Sequence, residues 1–85
     1  MKLPIIKHIV AFIKEKDEDF LLETLETLEA LTEAPSLKDE ELDVIGEIIS
    51  NGYGAIEVNT MIKEGKTQKE ALKIFMDRVL GSIDK

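Results

Sequence analysis

Cysteine is absent from the 85 residues, which excludes disulfides, thiolate metal sites and cysteine nucleophiles. Histidine occurs once, as His8, so no metal site built on two imidazoles can form. Aromatic residues number four, Phe12, Phe20, Tyr53 and Phe75, so any core must be mainly aliphatic. Long apolar runs are missing too. Ile9 to Ile13 is five residues, far short of the ~20 that span a bilayer. The opening Met1-Lys2-Leu3-Pro4-Ile5-Ile6 is interrupted by Lys7 and His8, so neither a targeting segment nor a membrane partner is expected. The chain reads as cytoplasmic.

Basic charge is scarce, with 11 Lys and Arg against 18 Asp and Glu and a net charge of -7. Residues 1–14 carry three lysines and no acid, whereas residues 15–57 carry fourteen acids against Lys16 and Lys38. The remainder is mildly basic. Phosphate contacts need clustered Lys and Arg, so nucleic acid is not an expected partner. The acidic middle reads as a solvated face that aids solubility, or as a docking surface for a partner protein.

What is present points to helices. The chain is 44% hydrophobic and 34% charged, the balance of one small aliphatic domain spanning residues 1–85. Strand-like alternation and hairpin signals are lacking. An all-α fold is expected, a compact bundle of four helices over about residues 4–16, 18–33, 37–64 and 68–82. Pro4 suits the first turn of the first helix. Ile5, Ile6, Ile9, Val10, Phe12 and Ile13 then share an arc of roughly 160°, with Lys7 and Lys14 opposite. Asp17, Glu18 and Asp19 offer an N-cap and favourable charge to the second helix. There Leu22, Leu25, Leu28 and Leu31 recur every three residues. That period winds the stripe around the helix, so it needs cover from two sides, by this chain or by another. Pro35 disfavours helix at Ala34.

The third segment opens at Ser36, read as an N-cap, and closes at Gly65, read as a left-handed C-cap. Leu42, Ile45, Ile49, Ile56 and Ile62 lie close to one face, widened by Val44, Ile48, Ala55 and Val58. Asn51-Gly52-Tyr53-Gly54 is its weak point, since each glycine costs about 1 kcal/mol inside a helix. Periodicity runs through it, so the helix is expected to be continuous or kinked, with a break at 51–54 as the alternative. Unbroken, it would be about 40 Å long, against roughly 30 Å for the diameter of a compact chain of this size. It would then overhang its own domain and need a partner. Thr67-Gln68-Lys69-Glu70 is a full capping box for the last helix, whose apolar face is Ala71, Leu72, Phe75, Met76, Val79, Leu80 and Ile83.

No constellation here supports catalysis, a cofactor or a metal. His8 borders the first apolar arc near Phe12 and reads as a boundary side chain. Glu40, Asp43 and Glu47 share a face but lack the Glu-x-x-His pairs of bundle metal sites. Asp17 and Asp19 lack the glycine and later glutamate of a calcium loop. Gly65-Lys66-Thr67 lacks the first glycine of a phosphate loop. Acyl carrier proteins have Asp-Ser-Leu at a helix start where this chain has Pro35-Ser36-Leu37. Gly46, Ser50 and Gly54 form a ridge of small residues beside Tyr53. Three roles stay open for it: close packing within the monomer, a homodimer interface shared with Leu22, Leu25 and Leu28, or a ligand pocket of Asn51, Tyr53 and Asn59.

Three stretches carry a resemblance: Leu37 through Glu47, Met61 through Gly65, and Phe75 through Asp84. Together they resemble a family of small, uncharacterised, all-helical bacterial proteins of the Bacteroidetes type, a domain of unknown function. The resemblance implies a bacterial cytoplasmic protein and brings no activity or catalytic residues with it. A non-enzymatic helical protein-protein interaction module, self-associating as a homodimer, is the function expected. A small-molecule or acyl-group carrier with a pocket near Tyr53 is the alternative, and an antitoxin-like or regulatory protein with an unidentified protein partner is a third.

Overall fold

The structure, a computed structural model, describes residues 2–83, with side chains as far as Val79. Four helices follow one another: α1 (Leu3–Glu15), α2 (Glu18–Leu31), α3 (Asp39–Lys63) and α4 (Gln68–Ile83). Among the described residues there is no strand. The expected side chains Leu80 and Ile83 of the last apolar face lie outside the described residues.

Local chemistry accounts for most of the boundaries. Pro4 sits in the first turn of α1, where its missing N–H leaves no bond unmade. The Asp17 carboxylate accepts the Phe20 N–H at 3.0 Å and starts α2. Thr67 and Glu70 exchange both bonds of the capping box, at 3.0 and 3.1 Å. Gly65, at φ +110°, ends α3, with its own N–H on the Ile62 carbonyl and that of Lys66 on Met61. Those two bonds satisfy carbonyls that the helix leaves open. Ser36 is a correction. It lies in a turn, and α3 starts three residues later at Asp39. The cap comes from Glu41, whose carboxylate accepts the Lys38 N–H at 2.9 Å. With Lys38 at the N-cap, Ser36 stands two residues outside the helix, too early in the chain to be its N-cap.

α3 is unbroken through Asn51-Gly52-Tyr53-Gly54. The glycines are explained by close neighbours. A methyl group at Gly52 would lie 2.5 Å from Leu25 Cδ2, and one at Gly54 would lie 2.9 Å from Phe75 Cζ and 3.4 Å from Ile6 Cδ1. α2 thus crosses at Gly52, while α1 and α4 meet at Gly54. The core gathers there: Ile6, Val10 and Ile13 from α1, Leu21 and Leu25 from α2, Ala55 and Val58 from α3, and Ala71, Leu72 and Phe75 from α4.

α3 packs against all three other helices, and α1 also packs against α2. The Lys2 N–H reaches Asn51, and the α1–α2 link lies beside Asn59 and Lys63, so α1 runs parallel to the second half of α3. α2 returns antiparallel, with Glu18 on Lys63 at 2.8 Å and Leu25 on Gly52. α4 crosses α3 with Phe75 on Gly54 and Arg78 on Glu57, and its first residue, Gln68, accepts from Lys14 at the end of α1. The result is flat and long, with extents of 43 × 35 × 17 Å and a radius of gyration of 13.8 Å. A compact chain of this length would have a radius of gyration of about 12 Å.

Two glycine substitutions should move stability in opposite directions. Gly46 has open space around it, so Gly46→Ala should gain roughly 0.5–1 kcal/mol from helix propensity alone. Gly52→Ala gains the same propensity but pushes into Leu25, which is buried. Overpacking of about 1–3 kcal/mol should leave it less stable than the parent. Urea midpoints in the order Gly46→Ala, parent, Gly52→Ala would bear this out; a stabilised Gly52→Ala would refute the close approach of α2.

Candidate functional site

The buried stripe of α3 does not end where its neighbours do. At about 100° per residue, Asn51, Ala55, Val58 and Ile62 fall in one narrow arc, and Val44 and Ile48 fall in that same arc. Within residues 51–62 the stripe is core or half-buried; between Asp39 and Ser50 no residue is buried. Val44 is 61% exposed and Ile48 44%. An apolar helix face that is core at one end is bare at the other.

The reason lies in where α1 begins. Asn51, only 1% exposed, accepts the Lys2 N–H at 3.0 Å through Oδ1. Its Nδ2 donates to the Glu47 carbonyl at 2.9 Å and lies 3.5 Å from that residue's Oε1. A buried amide with its oxygen and its nitrogen both engaged is satisfied. It pins the start of α1 level with the middle of α3, so α1 runs along the half of α3 that follows Asn51 and the half before it, residues 39–50, projects with only partial cover. In the corner between them, Ile5 and Ile9 of α1 face Val44 and Ile48 across a cleft of about 380 Å³. Lys2, Asp43 and Glu47 stand at its edge. Glu40, Asp43 and Glu47 border one side of the projecting stripe and Glu41 the other.

The residues singled out from the sequence are dispersed. Gly54 is buried under Phe75 and Ile6, while Gly46 and Ser50 are exposed on the projecting half. Leu25 is buried against Gly52, whereas Leu22 and Leu28 are half-buried. Leu31 and Phe20 remain exposed, the latter in a tilted ring contact with Phe12 at 5.8 Å. Asn51 and Asn59 are both buried but two turns apart. The Asn59 amide lies 3.4 Å from Glu18 Oε2, which also accepts from Lys63. Tyr53 is on another face, 43% exposed, with its hydroxyl donating to the Glu29 carboxylate. These three do not share a cavity. His8 is exposed beside Phe12 and Glu15. Among the described residues no cluster of His, Cys, Asp or Glu could hold a metal ion, and no helix is long and apolar enough to cross a membrane.

Val44 and Ile48 entered the sequence reading only as wideners of an apolar face. The missed signal is a length mismatch: α3 has 25 residues, while α1, α2 and α4 have 13, 14 and 16. Shorter neighbours that all meet α3 at Asn51–Gly54 cannot cover its whole stripe.

The chain belongs to a family of unknown function (DUF6952), whose profile matches residues 1–84. No curated protein matches it, and no solved structure does.

The Tyr53–Glu29 bond ties α3 to α2 and has a spectroscopic signature. Hydrogen bonding to Glu29 raises the phenol's pKa above its ordinary value, helped by desolvation and by the charges of Glu29 and Glu26. Because the folded pKa is raised, the bond's stabilisation is present below the unfolded phenol's pKa and is lost as pH rises through the folded one. Tyr53 is the only tyrosine and there is no tryptophan, so alkaline absorbance reads it alone. The tyrosinate signal should appear late in the parent and earlier in Glu29→Gln. Identical titrations would refute the bond.

Proposed function

We propose that this chain is a non-enzymatic helical interaction module that self-associates through the projecting half of α3. One observation carries the reading: the apolar stripe that forms core at Ala55 and Val58 continues as Val44 and Ile48, which stay 61% and 44% exposed at the open cleft beside Ile5 and Ile9. Leaving that surface in water forgoes about 25 cal/mol for each Å², and covering it requires another molecule. Exposed apolar surface bordered by charge is the usual form of a protein docking site. The net charge of -7 favours protein over nucleic acid as what covers it.

The rival reading, a carrier of small molecules or acyl groups near Tyr53, has less support. The Tyr53 hydroxyl is engaged by Glu29, and both ends of the Asn51 amide are bonded within the chain.

The test is assembly state. The parent should sediment as a dimer or larger species, and Val44→Asp and Ile48→Asp as folded monomers. Each lost side chain is worth roughly 1.5–3 kcal/mol when fully buried, or about a 10- to 150-fold rise in Kd. Thermal stability of the variants at high dilution should match the parent's, since both positions are exposed in the single chain. A parent that stays monomeric at its highest soluble concentration would overturn the proposal.

A further inference from the structure

The projecting stripe needs a counter-surface, and the same chain has one. A groove of about 570 Å³ runs between α1 and α4, with Leu3, Leu72 and Met76 in it alongside Lys7, Lys69 and Lys73. Asp77 also lines it, 3.0 Å from Lys73, and the lysines leave the groove net basic. The projecting half of α3 is the converse: Val44 and Ile48 flanked by Glu40, Glu41 and Asp43.

The spacings agree as well as the charges. Val44 and Ile48 are four residues apart, as are Leu72 and Met76, and as are Lys69 and Lys73. Each pair steps about 6 Å along its helix. Ridges of this i, i+4 type interdigitate in the commonest class of helix packing. Charge also selects between two ways of covering the stripe. A symmetric contact of α3 on α3 would oppose Asp39, Glu40, Glu41, Asp43 and Glu47 with their own copies. Like charges brought together across an interface are disfavoured, and opposite ones steer encounter.

Resting on the self-association proposed above, we infer that the projecting half of α3 of one molecule docks in the α1–α4 groove of a second copy. Val44 and Ile48 lie over Leu72 and Met76, and Glu40 and Asp43 meet Lys69 and Lys73. The contact is heterologous, ridge into groove, so every molecule carries one of each. Two molecules close the pair if the geometry is reciprocal; otherwise the contact propagates.

Two variants test this by complementation. Val44→Asp/Ile48→Asp spoils the ridge and keeps the groove, whereas Lys69→Glu/Lys73→Glu spoils the groove and keeps the ridge. Each alone should weaken assembly at least tenfold in sedimentation velocity, with circular dichroism confirming that both are folded. Mixed in equal amounts, they should regain a one-to-one complex, because one intact ridge meets one intact groove. A groove variant that assembles like the parent, while the ridge variant is monomeric, would overturn the inference and leave self-association standing. A mixture that stays monomeric would overturn the ridge-into-groove pairing. A monomeric parent would overturn both proposals together.

Discussion

Three helices reach the backbone of α3 within a single turn, and the rest of the molecule follows from that crowding. Asn51 receives the N–H of Lys2, the N-cap of α1, and Gly52 receives Leu25 of α2. Tyr53 bonds Glu29 of the same helix, while Gly54 receives Phe75 of α4 and Ile6 of α1. Each position does something its neighbours cannot. A β-carbon at 52 or 54 would crowd the approaching side chain, and an apolar residue at 51 would take from the Lys2 N–H its side-chain acceptor. Two glycines weaken the helix by about 1 kcal/mol each. The packing gained where Leu25, Ile6 and Phe75 come together offsets that loss.

Crowding at one turn leaves another part of the helix bare. The fully buried residues of α3 all lie from Asn51 onward, where α1 starts, Glu18 of α2 meets Lys63 and Phe75 of α4 meets Gly54. The half that precedes it has the same apolar periodicity but no fully buried residue: Leu42, Ile45 and Ile49 are half-buried, and Val44 and Ile48 are exposed. This makes the fold flat and elongated, and it separates two surfaces of opposite character on one chain. One is an acidic ridge with Val44 and Ile48 at its crest; the other is a lysine-lined groove between α1 and α4. A small domain has little core to spare, so leaving Val44 and Ile48 exposed is costly unless something else covers them.

Much of the architecture was legible beforehand because it rests on short-range rules. Asp17, the Thr67–Glu70 box and Gly65 act within one turn of themselves, and the apolar repeats mark α1, α3 and α4 clearly. Ser36 misled because several residues near that start could serve a cap, and Glu41 reaches the Lys38 N–H from inside the helix. The leucine repeat of α2 also looked more even than it is. Leu21 and Leu25, one turn apart, are buried, whereas Leu31 is left in water. Periodicity tells which residues can share a face, not how far along that face a neighbour extends.

The site was less legible than the fold. Gly46, Ser50 and Gly54 form one ridge by spacing, yet only Gly54 is pressed by another helix; Gly52, outside that ridge, is pressed harder. The sequence by itself determined four helices, most of their caps, the continuous apolar face of α3 and the acid–base asymmetry along the chain. These depend on residues within a turn or two of one another. Only the tertiary structure decided that Asn51–Gly54 is a meeting point and not a break, and that Val44 and Ile48 lie bare while Ala55 and Val58 are core. Both outcomes depend on where α1, α2 and α4 stop along α3, and that is set by long-range contacts no local pattern encodes.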